Sequence, residues 1–260
     1  MIDVVVISLL HARERRRKMQ SELDSAGISF RFFDAVNGLS LDEEQLKACT
    51  SGSPKNGFKR PLSLPEIGCY LSHFKIWESI CHSEARWTII LEDDADIRED
   101  FADVAMTIGE LESGPAIIKL NKSRSMIFRN VARLANHHRL VEPWVGPALT
   151  IGYAINRQAA CQLTKLALPF ARPVDIDLKH WWEFGIEMFV VKPEIVQERP
   201  ETPSSIEHSR VAVKFPKFGI QAFYSNFMYQ MRFRSALLKA RTRKALLHHQ
   251  PLKAKARRGP

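Results

Sequence analysis

The segment Trp87-Thr88-Ile89-Ile90-Leu91 runs without a break into Glu92, Asp93, Asp94 and, after one alanine, Asp96. The apolar run predicts a strand, and Glu92 is where that strand ends. Like charges packed this closely repel one another, and a bound dication is the usual compensation. Carboxylate oxygens are hard ligands that suit Mn²⁺ or Mg²⁺, ions that keep several waters and bridge nucleotide phosphates. Open α/β sheets place their ligands at the carboxyl ends of strands. In isolation such a cluster reads equally well as a solvated acidic turn. The strand before it favours a site, because it fixes the carboxylates to rigid backbone.

The chain of 260 residues is long enough for one large α/β domain or two small ones. No stretch approaches the roughly 20 apolar residues that span a bilayer. The opening Met1-Ile2-Asp3-Val4-Val5-Val6-Ile7 lacks the basic region and cleavage site of a secretory signal and reads as a first strand. Cys49, Cys69, Cys81 and Cys161 are widely spaced, with no Cys-x-x-Cys pair. Reduced structural thiols in a cytosolic protein are the expectation. The net charge of +9 is uneven: residues 232–260 hold ten Lys or Arg and no Asp or Glu. The first 231 residues therefore carry 28 basic against 29 acidic side chains, a balance of −1. A nearly neutral body argues against an enzyme with a broadly positive nucleic-acid face.

Periodicity predicts a strand over 2–9, a charged helix over 11–26 stopped by Gly27, and a strand over 28–33, which together make a right-handed βαβ unit and a parallel sheet. Residues 50–61 read as loop. Ser63, Pro65 and Glu66 form a capping-box start for a helix to about His82. After strand 87–91 come a helix near 99–111, strands at 116–120, 138–142 and 148–155, and a helix over 156–168. Strand-like segments at 187–191 and 194–197 precede a polar loop over 200–209.

Several of these segments together resemble glycosyltransferase family 25. They are Val6-Ile7-Ser8-Leu9 with Arg13 and Arg16, Phe33-Asp34-Ala35-Val36-Asn37-Gly38, Glu66-Ile67-Gly68-Cys69-Tyr70-Leu71-Ser72-His73 and Leu91-Glu92-Asp93-Asp94-Ala95. The likeness continues through Gly152 to Ala160, Pro173-Val174-Asp175 and the loop from Gln197 to Ile206, so it covers about residues 2–207. It implies a GT-A-like α/β fold with a mostly parallel twisted sheet flanked by helices. It also implies a UDP-sugar donor, most often UDP-galactose, a divalent metal and inversion at the anomeric carbon. The acceptor it implies is a cell-envelope oligosaccharide or glycolipid such as lipooligosaccharide.

Residue by residue, Asp94 is the first expected metal ligand, by analogy with Asp-x-Asp sites. Asp96 is a second, or else caps the next helix. Glu92 and Asp93 are expected at the donor, on ribose or on the metal through water. Ser8, Leu9, Arg13 and Arg16 lie where backbone N–H groups and guanidinium forks can meet a nucleotide, although Arg13 to Lys18 also reads as a solvated helix face. Ser72 and His73 are donor-site candidates, with a buried structural histidine as the competing account. An inverting transferase needs a base opposite the leaving group. Asp175, then Asp177, are the candidates, with helix capping as the alternative for Asp175. Trp181 and Trp182 read as core or as a platform for a sugar ring. His208 is the candidate for a metal ligand from the C-terminal loop.

Two regions are expected: a catalytic domain over 1–218, and a basic amphipathic helix with a disordered end over 219–260. Apolar residues such as Phe227, Met231, Phe233 and Leu237 alternate with Arg and Lys in the second. That pattern suits an anionic membrane surface, and so a peripheral place on the inner face of the cytoplasmic membrane. Nucleic-acid or acidic-partner binding would give the same charge pattern, and simple helix packing with a solvating tail is the remaining reading.

Overall fold

The computed structural model describes residues 2–50, 58, 60–199 and 220–246. β1 (Ile2–Ser8) pairs in parallel with β2 (Arg31–Asp34) on one side and β3 (Trp87–Glu92) on the other, and α1 (Arg13–Ser25) makes the first crossover. α2 (Glu43–Cys49) precedes α3 (Leu64–Cys81), which opens on the Ser63/Glu66 capping box with Pro65 in its first turn. Beyond β3 come β4 (Ala95–Ile97), α4 (Phe101–Gly109), β5 (Ala116–Lys119), β6 (Phe128–Arg133), β7 (Arg139–Pro143) and β8 (Gly152–Asn156). α5 (Arg157–Leu166), α6 (Val174–Lys179), β9 (Glu187–Lys192), β10 (Val196–Glu198) and α7 (Ile220–Leu246) complete the described chain.

Eight strands form one sheet in the order β2-β1-β3-β8-β5-β9-β7-β6. Only β8 and β7 run against the direction of the others. The α/β architecture with a mostly parallel sheet, expected from the sequence, is present. Successive residues of β1 belong to opposite cores: Val5 and Ile7 lie with α3, α5 and α6, whereas Val4 and Val6 lie with α1 and α4. A strand buried on both faces must be apolar at every position, which is why β1 and β3 read as unbroken hydrophobic runs. The parallel strands bring Ser8, Asp34 and Glu92 to one edge, since Ser8 is opposite Asp34 and Ile7 opposite Glu92.

The turn after β2 is docked on α3 by small residues. A Cβ on Gly68 would lie 2.5 Å from the Gly38 nitrogen and 2.6 Å from the Val36 carbonyl oxygen. The motifs around residues 34–38 and 66–73 are thus packing partners.

Several expectations are corrected. β4 and β6 were not foreseen; Asp96 lies within β4, opposite Gln197, and caps no helix. The cysteines are not all reduced. Cys81, at the end of α3, is disulfide-bonded to Cys161 on α5, with the Cα atoms 5.1 Å apart, while Cys49 and Cys69 are free. Side-by-side packing of α3 and α5 brings together residues 80 positions apart, which no spacing motif announces. The support that free thiols lent to a cytosolic place goes with that correction. Among the described residues, no helix is long and apolar enough to cross a membrane.

Helix α7 is partly folded against the domain. Phe233 and Leu237 join the core beside α6, and Tyr229 is buried with them. Arg241 and Lys244 close on Glu142, which Arg129 also pairs, and both cations lie over the Trp181 ring. Burial opposes ionisation of Glu142, but hydrogen bonds from Lys244 and Arg129 outweigh it and hold the carboxyl at about 2. The expected disordered end and the loop over 200–209 lie outside the described residues, as does most of 50–61.

Two predictions follow from these contacts. Thiol titration of the unfolded chain without reductant should find two reactive groups, and four after reduction; reduction should cost roughly 4 kcal/mol on the chain-entropy account. The Glu142 carboxyl is lowered by folding, so its contribution is complete above about pH 4.5 and fades as pH falls toward 2. Tryptophan fluorescence should therefore report loosening of α7 in that window. Glu142→Gln should remove the transition and lose roughly 3 kcal/mol at neutral pH.

Candidate active site

At the end of β3 the chain turns sharply through Asp93 and Asp94 into β4, and the three adjacent carboxylates meet different surroundings. Asp93 is 7% exposed. The Ser8 hydroxyl donates to one of its oxygens at 2.6 Å, and Arg15 of α1 approaches the other at 3.0 Å. Glu92 accepts from the Thr150 hydroxyl at 2.5 Å and has His73 Nε2 3.4 Å from the same oxygen. Burial raises its pKa, yet contact with His73 and Thr150 leaves it below the ordinary carboxylate value. Asp94 has weaker help, from the Arg15 charge and a backbone hydrogen bond, and its Oδ1 is buried with no hydrogen-bond partner. Burial first, then the charges of Glu92 and Asp93, push its carboxyl up to about 7.

His73 is fully buried on α3 at the end of a short relay. Trp77 Nε1 donates to the Tyr153 hydroxyl at 2.9 Å, and that hydroxyl lies 2.9 Å from His73 Nδ1. Because the indole can only donate, the tyrosine proton is free to go to Nδ1, which leaves the Nε2 proton facing Glu92. Cys69, one turn earlier on α3, completes a trio with His73 and Glu92 whose possible ligand atoms lie within 4.8 Å of one another. Burial, then the Glu92 charge, holds the Cys69 thiol well above its usual pKa.

Lys119 enters from the end of β5, fully buried, donating at 2.6 Å to the Leu149 carbonyl and lying 5.3 Å above the Tyr153 ring. Burial lowers its pKa to about 8 against the opposing pull of Asp175 and Glu92. Asp175, half-buried in the first turn of α6, also acts electrostatically on Cys69, so α6 faces the same edge. Arg199 secures the turn from behind: its backbone N–H donates to the Asp94 carbonyl and its Nε to that of Ala95.

Other candidates are placed differently. Asp177 is buried, accepting from the Tyr70 hydroxyl at 2.5 Å and from Arg172 at 2.6 Å, so both its oxygens belong to a core network rather than to an open site. Ser72 is fully buried, donating to the Gly68 carbonyl and accepting from the Val36 N–H; it holds the β2 turn to α3. Arg16 donates to the Ser8 carbonyl and to Asp34, tying β1 to β2. Arg13 is exposed, and Leu9 opens the turn into α1, accepting from the Ala12 N–H. Asp96 is half-buried on β4. His208 lies outside the described residues. Arg15, Cys69, Lys119, Thr150 and Tyr153 were missed. Cys69 and Tyr153 stand within segments that resemble the family, and Lys119 left a signal as a lone charge ending the apolar run Ala116-Ile117-Ile118.

The acidic edge fits a hard divalent cation. The Asp94 oxygen without a donor, beside two further carboxyl groups, is a donor set that such an ion would complete.

The family model described as glycosyltransferase family 25 (LPS biosynthesis protein) matches residues 1–178. The chain belongs to this family. Mouse procollagen galactosyltransferase 2 is 29% identical over 187 residues, which is 67% of this chain and 29% of the mouse protein. A Drosophila pseudoobscura glycosyltransferase 25 family member is 28% identical over 188 residues, 67% of this chain and 28% of its own length. A rat protein named probable inactive glycosyltransferase 25 family member 3 is 35% identical over 105 residues, 38% of this chain and 18% of its own. The chain thus spans about three-tenths of the length of the mouse and Drosophila relatives it matches.

The family 25 residues at this edge generate a stability prediction. Folding raises the Asp94 pKa from its ordinary value to about 7, so the metal-free fold prefers the neutral acid and loses stability as pH rises from about 4 to 7. Asp94→Asn should therefore stabilise the metal-free protein by about 1–2 kcal/mol at pH 8, with little effect near pH 4. Thermal melts in chelator at the two pH values check this.

Proposed function

We propose that the chain transfers a hexose, galactose in the first instance, from a UDP-sugar to an oligosaccharide acceptor with inversion, using Mn²⁺ or Mg²⁺. The observation that carries this reading is the unsatisfied Asp94 oxygen in the acidic edge. Family membership and the relatives' galactosyltransferase names support it. Asp94, with Glu92, would hold the metal, which when bound supplies Lewis-acid stabilisation of a departing diphosphate. Lys119 places a buried cation beside the carboxylates, where it stabilises negative charge on a leaving group. His73, fixed by Tyr153 and Trp77, orients Glu92. Asp175 takes the proton of the acceptor hydroxyl; unlike Asp177, it makes no hydrogen bond among the described residues, so its carboxylate is available.

The family's description, LPS biosynthesis protein, favours a cell-envelope acceptor. The outer face of α7 fits work at a membrane: Tyr224, Phe227, Met231 and Leu238 form an exposed stripe flanked by exposed Arg232, Arg234, Lys239 and Arg243. Each such cation contributes about 1 kcal/mol at an anionic surface, so we place the protein peripherally on the cytoplasmic leaflet. The rat relative's name favours a second reading, a scaffold that binds donor without turnover.

Hydrolysis of a UDP-sugar panel with Mn²⁺, Mg²⁺ or EDTA tests the proposal. UDP-galactose should be cleaved only with metal. Asp94→Ala should lower the rate at least about 100-fold. Asp175→Asn should slow transfer by about 100- to 10,000-fold while sparing UDP binding. Absence of UDP-sugar binding in the presence of metal would sink the assignment, and binding without turnover across acceptors would favour the scaffold reading.

A further inference from the structure

A cavity of about 780 Å³ opens between the segment that follows β5 and the loop that precedes β8. Its size is that of a ligand cleft. Asn121 and Trp144 line it, together with Lys122, Arg124 and Lys179 and, among the described residues, a single carboxylate, Glu198. Asn121 is 4% exposed; its Nδ2 donates to the Ala148 carbonyl, while its Oδ1 is buried with no partner. An amide oxygen in that state lacks a hydrogen that a bound hydroxyl would supply. Trp144 is 41% exposed and offers an aromatic surface of the kind on which sugar rings stack. Lys122 and Arg124 are exposed and make no ion pair among the described residues, whose contribution to the wall is three cations against one anion.

The cavity adjoins the acidic edge in two ways. The loop that lines it ends at Leu149, whose carbonyl accepts a hydrogen bond from Lys119, and is followed by Thr150, whose hydroxyl donates to Glu92. Lys179, another lining residue, lies four residues after Asp175 on α6, so the two side chains are one helical turn apart on the same face.

We propose that this cavity is the acceptor subsite and that it selects a glycan carrying an anionic group, a carboxylate or a phosphate. Resting on the transferase reading above, the arrangement puts the anion on Lys179, Lys122 and Arg124, a ring against Trp144, and a hydroxyl on Asn121. The attacked hydroxyl then lies at Asp175, so the acidic group belongs to the reacting sugar or its neighbour. Rim charges of this kind discriminate between acceptors through the unpaired cations that a neutral glycan leaves behind.

The test uses the full chain in EDTA with no donor, so that it does not depend on turnover. Saturation-transfer NMR would follow methyl glucuronide, glucose 6-phosphate and neutral methyl glucoside, with inorganic phosphate as competitor. At least tenfold tighter binding of an acidic sugar than of the neutral one is expected, and the better of the two acidic probes identifies the anion. Lys122→Glu with Arg124→Glu, both at exposed positions, should abolish the preference, whereas Asp94→Ala should not alter it. The proposal falls if charged and neutral sugars bind alike, if none binds, if the double reversal leaves the preference intact, or if inorganic phosphate competes as well as the phosphorylated sugar binds. A failed UDP-sugar assay would leave these outcomes readable, because no donor enters the experiment.

Discussion

Three consecutive carboxylates at the tip of one strand set the terms for everything around them. Two like charges about 4 Å apart repel by roughly 4 kcal/mol even at an effective dielectric near 20. The fold relieves two of the three. Asp93 is answered from β1 and α1, through Ser8 and Arg15, and Glu92 from α3 and the loop before β8, through His73 and Thr150. Each answer recruits an element from a different part of the chain, which ties the sheet edge to both helical layers. Asp94 is left with a carboxyl near neutrality and an oxygen without a donor. The third group is the one with room for a ligand from outside the chain, which is the premise of the proposed metal site.

The rigidity behind this arrangement comes from burial on both sides. Residues of β1 and β3 alternate between two cores, so neither strand can slip by one position without moving its whole apolar set to the wrong side. The glycine contact between Gly38 and Gly68 and the Ser72 bridge to Val36 fix α3 against the β2 turn, and the Cys81–Cys161 bond fixes its far end to α5. His73 and Cys69 thus sit on a helix held at both ends. Helix α7 has a share in this frame too, since Arg241 and Lys244 are engaged by Glu142.

Legibility in the sequence followed the range of the interactions. β1, α1, α3 and β3 were readable because unbroken apolar runs, Gly27 and the Ser63/Glu66 box are local signals. The acidic edge was readable because charge crowding is local as well. β4 was not, since three residues acquire strand geometry only by pairing with β10 a hundred positions later. The same holds for the disulfide and for Thr150, Tyr153 and Lys119, which reach the edge through the sheet order. Within the arginine run, helix phase alone decides that Arg15 meets Asp93 while Arg13 faces solvent, and a charge run does not declare its phase.

Asp175 and Asp177 carry that point into the chemistry. They are two positions apart on one short helix, and residues at that spacing point to different sides. One side is closed by Tyr70 and Arg172, which makes the Asp177 carboxylate a brace between α3 and the segment before α6. The other side looks toward Lys119 and the acidic edge, with Lys179 one turn further along. The brace fixes the roll of α6 about its axis, and the roll determines where Asp175 and Lys179 point. A residue with no access to substrate thereby positions both the proposed base and a cation of the proposed acceptor cavity. For that reason the buried partner of the pair is as much a condition of the proposed reaction as the exposed one.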